Sequence, residues 1–302
     1  MHVMDKPITI LIPTYNRAQS LRAVWPSYLC SKQVKEIIIV NDGSTDDTSQ
    51  LIREFSATSI IPVRFIEHPV KMGQQYSRNA AIEAATTEWV LFGEDDVWLD
   101  ANYCEVLLKE ANELRADAIA GRLLVARVPG EFSPDLLSPL NTGGKAPIFD
   151  VKNFAANFAA SPPAPLSAPY LHSIALIRRS LFGRIGFDTW YKGNAHREET
   201  DFYLSLSESG SLVCFTPSTG CYHLRGPISS TGGQRINRVS LEYWHFINTW
   251  HLVEKHWDYL RVNCGFHGPI TLWMLCYFLR RQYSQLKRIL AGNAKSSFSS
   301  DV

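Results

Sequence analysis

Glu94-Asp95-Asp96 places three carboxylates side by side, directly after the apolar run Trp89-Val90-Leu91-Phe92-Gly93. Such carboxylates at the mouth of a buried strand repel one another and lose hydration, so a positive partner is expected. A divalent cation with a phosphate on its far side is one such partner, and a plain acidic turn is the alternative. Glu198, Glu199 and Asp201 form a second acidic group. If residues 200–206 are helical, these carboxylates stand at a helix N-terminus, where the dipole keeps them ionised and one of them can take a proton from a hydroxyl. His223, in Cys221-Tyr222-His223-Leu224-Arg225, is a lone histidine, which taken by itself is more often structural than a ligand.

The elements that must position these residues alternate along the first third of the chain. Ile8-Thr9-Ile10-Leu11-Ile12, Glu36-Ile37-Ile38-Ile39-Val40, Val63-Arg64-Phe65-Ile66-Glu67 and residues 88–92 read as strands. Residues 18–30, 48–55 and 74–86 read as the intervening helices, with Asp46 and Asp47 as turn and helix-start residues. Strand-helix alternation at this spacing predicts an α/β fold, a mostly parallel twisted sheet flanked by helices. In such sheets ligands bind beyond the carboxyl ends of the strands, where Pro13-Thr14-Tyr15-Asn16-Arg17, residues 41–47 and the acidic triplet converge.

The organisation changes after about residue 128. Pro129-Gly130, Ser138-Pro139, Asn141-Thr142-Gly143-Gly144 and Ser161-Pro162-Pro163-Ala164-Pro165 break up any long element, as substrate loops or as a surface excursion. A short strand is expected at 212–215. From Leu241 onward the period is helical, with Tyr243, Phe246, Trp250, Val253, Trp257 and Leu260 as one apolar stripe. Trp273, Met274, Tyr277 and Phe278 precede Arg280, Arg281, Lys287 and Arg288. That pattern suits a packed terminal helix or one lying on an anionic membrane. The apolar run at 270–279 is half of the roughly 20 residues needed to span a bilayer.

A net charge of +1 over 302 residues, with Lys and Arg scattered, gives no sign of a nucleic-acid binder. The six cysteines form no C-x-x-C pair and read as reduced thiols, and no secretory signal is visible at the N-terminus, so a cytoplasmic setting is expected.

No glycine occurs in Pro13-Thr14-Tyr15-Asn16-Arg17, which argues against a dinucleotide-binding turn. Together with Asn41-Asp42-Gly43-Ser44-Thr45-Asp46, Gly73 followed by Ser77-Arg78-Asn79-Ala80, and Glu94-Asp95-Asp96, that turn instead resembles the family 2 glycosyltransferases of the GT-A fold. Ile185-Gly186-Phe187-Asp188 and Glu198-Glu199-Thr200-Asp201-Phe202 are similar to the family's acceptor-side motifs. The resemblance implies an inverting transferase that moves a sugar from a UDP- or dTDP-sugar to a saccharide or lipid-linked acceptor, aided by Mg²⁺ or Mn²⁺. It implies a catalytic domain over 1–225, divided into a nucleotide-sugar half at 1–97 and an acceptor half at 98–225, with a helical extension at 226–302. Peripheral contact of that extension with a membrane stays open.

The same resemblance implies the roles. Asp96 and His223 would hold the metal, and Asp95 would face the ribose. Asp42 would meet the base, with Pro13, Thr14 and Tyr15 walling the pocket. Arg17 and Arg78 would serve the nucleotide, and Glu199 would be the general base, with Asp201 as its alternative. Glu94, which would contact the nucleotide or reach the ion through water, and Glu199 stand where the family usually has aspartate. Those departures keep open a second reading, a nucleotide-sugar-binding protein without transferase activity.

Overall fold

The computed structural model describes residues 7–128, 133–137, 148–230, 232–233 and 236–290. Pro129-Gly130, Ser138-Pro139, Asn141-Thr142-Gly143-Gly144 and the extreme N-terminus lie outside the described residues, as does the side chain of Arg288. In chain order the elements of the first third are β1 (Ile8–Thr14), α1 (Ala18–Tyr28), β2 (Val34–Asn41), α2 (Thr48–Thr58), β3 (Val63–Glu67), α3 (Gln74–Ala84) and β4 (Trp89–Phe92). After them come β5 (Val97–Leu99), α4 (Tyr103–Leu114), β6 (Ala118–Arg127), β7 (Phe149–Asp150), β8 (Ala155–Ala156), β9 (Leu166–Ser167) and β10 (Ala175–Arg178). The chain continues through α5 (Glu198–Glu208), β11 (Val213–Arg225), α6 (Arg238–Lys255), α7 (Trp257–Cys264) and α8 (Ile270–Leu290).

A nine-stranded sheet runs in the order β3-β2-β1-β4-β10-β6-β11-β5, with β9 paired to β11. β1, β2, β3 and β4 are mutually parallel, as are β6 and β11, whereas β10 runs antiparallel between β4 and β6. The α/β expectation therefore holds. Continuous β-branched runs arise because both faces of the sheet are covered. Ile8, Ile10 and Ile12 enter one core with Trp89 and Leu91, while Leu11 enters the other with Val90 and Phe92.

The strand expected at 212–215 extends to Arg225. The strand passes Pro217 with a register irregularity between Phe215 and Gly220, the usual way to accommodate a proline in a sheet. That extension matters because it carries His223.

The C-terminal helices pack on the second core. Leu252, Val253, Leu260, Phe266, Trp273, Met274 and Tyr277 are buried there with Leu11 and Phe92. The expected stripe is only partly right: Val253 and Leu260 are buried, but Tyr243 is exposed. The inward face of α6 instead carries His245, Asn248 and Thr249 beside Leu252 and Val253. Among the described residues no helix is long and apolar enough to cross a membrane.

Candidate active site

A cleft of about 620 Å³ opens at the carboxyl ends of β1, β2 and β4. Pro13, Thr14, Tyr15, Arg17, Asp42, Glu94, Asp95, Asp96, Glu198, Glu199 and His223 all line it. The acidic triplet is aimed by Tyr28 of α1, whose hydroxyl donates to the Glu94 carbonyl at 2.8 Å and accepts from the Glu94 amide at 3.0 Å. Gly93 permits this approach, since a Cβ there would meet the Tyr28 ring at 2.8 Å. After the triplet the chain turns into β5, which pairs antiparallel with β11 so that His223 stands opposite Val97. Topology thus brings residues 96 and 223 together.

Asp96 Oδ2 lies 3.0 Å from Arg17 Nη1 and 3.4 Å from His223 Nε2. Burial would raise the Asp96 carboxyl, but His223, Arg17 and Arg225 outweigh it and hold the group well below the usual range. Asp95 moves the other way. Burial, reinforced by Asp96 and Glu94, pushes it up to about 7 against the pull of Arg17 and Thr14. Burial also raises Glu94, with Glu199 and Asp96 adding to the effect.

No three His, Cys, Asp or Glu side chains form a ready-made metal cluster among the described residues. The donor set nonetheless fits a divalent ion of the Mg²⁺ or Mn²⁺ kind. Such ions in nucleotide sites take one or two protein ligands and fill the rest with phosphate and water. Asp96 and His223, 3.4 Å apart, are the pair that could hold such an ion.

Arg78, 1 % exposed, joins the two acidic groups. Its Nη1 donates to Glu198 Oε1 at 2.6 Å, and its Nη2 to Glu199 Oε1 at 2.7 Å and Glu94 Oε1 at 3.4 Å. One guanidinium facing three carboxylates leaves the cluster under-neutralised. Burial, aided by Glu199 and Glu94 and opposed by Arg78, pushes Glu198 up to about 8, and its buried Oε2 has no hydrogen-bond partner. Glu199 is more open to the cleft, at 30 % side-chain exposure.

Asp201 is not in the cleft lining. It is 1 % exposed, and its two oxygens accept from His256 Nε2 and Lys255 Nζ, both at 2.9 Å. The helix α5 begins at Glu198, two residues earlier than expected, and along it residues two apart such as 199 and 201 point to roughly opposite sides. Asp42 does line the cleft, with its oxygens receiving the Met72 amide at 2.8 Å and the Gly73 amide at 2.9 Å. Beside it, the Lys71 ammonium sits 4.2 Å over the Tyr15 ring.

The family model described as glycosyl transferase family 2 matches residues 9–185, more than half of the chain. The chain belongs to glycosyl transferase family 2. A curated family relative, glycosyltransferase GlyA of Streptococcus pneumoniae, is 32% identical over 120 residues, which is 39% of this chain and 17% of GlyA. The GalNAc(5)-diNAcBac-PP-undecaprenol beta-1,3-glucosyltransferase of Campylobacter jejuni is 28% identical over 108 residues, 35% of each protein. This chain therefore spans well under half the length of these two relatives. Among solved structures, S. aureus TarS 1-349 in complex with UDP-GlcNAc matches with a TM-score of 0.59 at 16% identity, over 92% of this chain and 72% of that one. At that identity the likeness concerns the fold.

Family 2 motifs do not foretell the loop at 192–197, which leads into Glu198 and lines the cleft through Asn194, Ala195, His196 and Arg197. Gly193, Ala195 and Arg197 all adopt positive φ, at 68°, 55° and 80°. A side chain at Gly193 would collide with Trp244 of α6. Two non-glycine residues in this region imply local strain that surrounding contacts must hold.

The C-terminal helices supply those contacts. Asn248 donates to the Lys192 carbonyl at 3.0 Å and accepts the Lys192 amide at 3.5 Å. Arg197 donates to the Phe154 carbonyl at 2.7 Å and the Tyr277 hydroxyl at 2.9 Å, and Tyr277 also bonds His245 Nε2 at 2.7 Å. The His245 ring stacks on His196 at 4.0 Å. A signal was present in the sequence, because His245, Asn248 and Thr249 are polar residues at helical spacing with Leu252, a pattern unlike a plain core stripe.

Proposed function

We propose that this protein is an inverting glycosyltransferase that moves a sugar from a nucleoside-diphosphate sugar, a UDP- or dTDP-sugar, to an acceptor hydroxyl in polysaccharide or glycolipid synthesis. The observation that carries the proposal is the Arg78 bridge. One buried guanidinium binds Glu199 and also Glu94, so a carboxylate base and the acidic triplet occupy one cleft at fixed separation. The resemblance of TarS, solved with UDP-GlcNAc, supports the donor class, and the undecaprenol-linked name of the Campylobacter relative supports a glycan acceptor.

In this reading Asp42, Thr14 and Tyr15 wall the base subsite, and Arg17 lies beside the diphosphate. The Glu199 carboxylate accepts the proton of the acceptor hydroxyl as that oxygen forms a bond to the anomeric carbon. The bond from that carbon to the diphosphate oxygen breaks, and its electron pair leaves with the diphosphate. Single displacement from the opposite face inverts the configuration. A divalent ion, Mg²⁺ or Mn²⁺, when held by Asp96 and His223, supplies charge stabilisation to the departing diphosphate. Arg78 aims Glu199 through a hydrogen bond of 2.7 Å, while burial favours the protonated form of Glu198. Asp201 then serves structure, as the anchor of α5 on Lys255 and His256.

The test joins a thermal-shift screen of nucleotide sugars, with and without Mn²⁺, to transfer assays of Glu199→Gln. Stabilisation by a uridine or thymidine diphosphate sugar and a loss of roughly 10²- to 10⁴-fold in transfer, with donor binding kept, are expected. Full transfer by Glu199→Gln would remove the base assignment. Donor binding by the wild type without turnover on any acceptor would favour a binding protein.

A further inference from the structure

The inner face of α8 is buried through Trp273, Met274 and Tyr277, whereas its outer face carries a row of exposed apolar side chains, with the Lys287 ammonium 4.6 Å over the Tyr283 ring. Leu272, Leu275, Leu279, Tyr283 and Leu286 are each between 53 and 59 % exposed. At 3.6 residues per turn these five fall within one stripe, about 20 Å long. Isolated exposed leucines are ordinary on a protein surface, whereas an aligned row is not. The exposed cations Arg280 and Lys287 flank the same stripe, and the 21 residues of α8 include no acidic side chain. We propose that this face of α8 docks on an anionic lipid surface, with the leucines among the acyl chains and the two cations at the headgroups.

Charge selects this occupant over a second copy of the chain. An apolar seam with leucines three and four residues apart can also pair with itself, but flanking positions of such pairs normally answer cation with anion. Here a self-paired α8 would set Arg280 and Lys287 against other cations, while anionic headgroups complement both. The low net charge of +1 means that attraction comes from this local arrangement rather than from the protein as a whole. The consequence for the site is geometric. Tyr277, on the inner side of the docked helix, receives a hydrogen bond from Arg197, so the lipid surface would lie one helix thickness from the loop leading into Glu198. A transferase so placed would meet acceptors carried on lipid, which is the one point where the inference rests on the proposed function.

The full chain is mixed with vesicles of phosphatidylcholine alone or with added phosphatidylglycerol, and co-sedimentation is measured at low and high salt alongside light scattering of the free protein. Binding to the phosphatidylglycerol vesicles alone, weakened by salt, is expected. Arg280→Gln with Lys287→Gln should lower the partition coefficient about 30-fold, on the basis of about 1 kcal/mol per cation. Leu275→Ser with Leu279→Ser should lower it at least as much, and these exposed positions leave the fold intact, which a thermal melt checks. No binding to anionic vesicles, binding that survives the leucine changes, or a dimer dispersed by them would each overturn the proposal. Nucleotide-sugar binding without vesicles reads the transferase assignment separately.

Discussion

The two ends of the cleft are built by different means. At the end proposed for the nucleotide and its diphosphate, Asp42, Glu94, Asp95 and Asp96 follow directly from strands of a sheet whose registers leave little freedom, and a single buried tyrosine trims the last turn. At the base end, Glu199 stands after a loop with two non-glycine residues at positive φ, held by side chains that arrive from α6 and α8 up to 80 residues later. The sheet confers position through backbone pairing, whereas the loop depends on a few hydrogen bonds. Mutations at the first end should therefore act on chemistry directly, and those behind the second should act by loosening the base.

The largest effect is expected at the diphosphate end. Asp96→Ala removes the carboxylate that Arg17 and His223 both face, at 3.0 and 3.4 Å. Donor hydrolysis and transfer should fall together by roughly 10³-fold, as loss of a main electrostatic stabiliser does. This separates the ends, because Glu199→Gln should spare donor binding. Retention of metal-dependent donor binding by Asp96→Ala, read by calorimetry, would move the metal assignment away from this residue.

Next in size is the bridge between the ends. Arg78→Met keeps the volume but strands Glu198 and Glu199, and breaking a buried pair in this way costs about 3–5 kcal/mol. Chemical denaturation should register that loss, together with a fall in transfer. If stability is unchanged, Arg78 does not organise the cluster.

A smaller effect concerns pH. Glu198 binds its proton more tightly folded, at about 8, than its ordinary value of 4.5. The folded state then carries the extra proton between those values, so the stabilisation from Glu198 is complete below about pH 4.5 and is lost as pH rises through 8. Asp95, raised to about 7, acts with the same sign. Asp96, depressed, acts oppositely, its contribution being lost as pH falls through its folded value. Glu198→Gln should therefore flatten the decline of melting temperature across pH 5 to 8, as scanning fluorimetry would record. An unchanged slope would place the titration elsewhere.

These sizes follow the same division that governed what could be read in advance. Strand ends were legible because apolar runs such as Ile37-Ile38-Ile39-Val40 stop at turn residues, and the site residues lie within a few positions of each stop. His223 came as a ligand only from the family likeness, since the strand expected at 212–215 stops short of it. Asp201 and Glu199 looked alike in sequence. Only the helix α5, on which residues two apart point to roughly opposite sides, decided which carboxylate enters the cleft and which turns to His256. The loop at 192–197 was illegible for a stronger reason. Its conformation is imposed by Phe154, Asn248 and Tyr277 from distant segments, and local propensity opposes positive φ at Ala195 and Arg197.

The finest test of the comparison removes a single oxygen. Tyr277→Phe keeps the ring packed on Trp273 and deletes the acceptor of the Arg197 hydrogen bond and the partner of His245. About 1–3 kcal/mol of stability is at stake if Arg197 finds no substitute. A purely structural role would lower the melting temperature and leave turnover at moderate temperature unchanged. A positioning role predicts a fall in kcat for transfer of several-fold, with the KM for donor and the rate of donor hydrolysis held near wild type. The diphosphate end does not depend on the loop. Only the base is loosened, so transfer and hydrolysis should part company in this variant, while in Asp96→Ala they fall together.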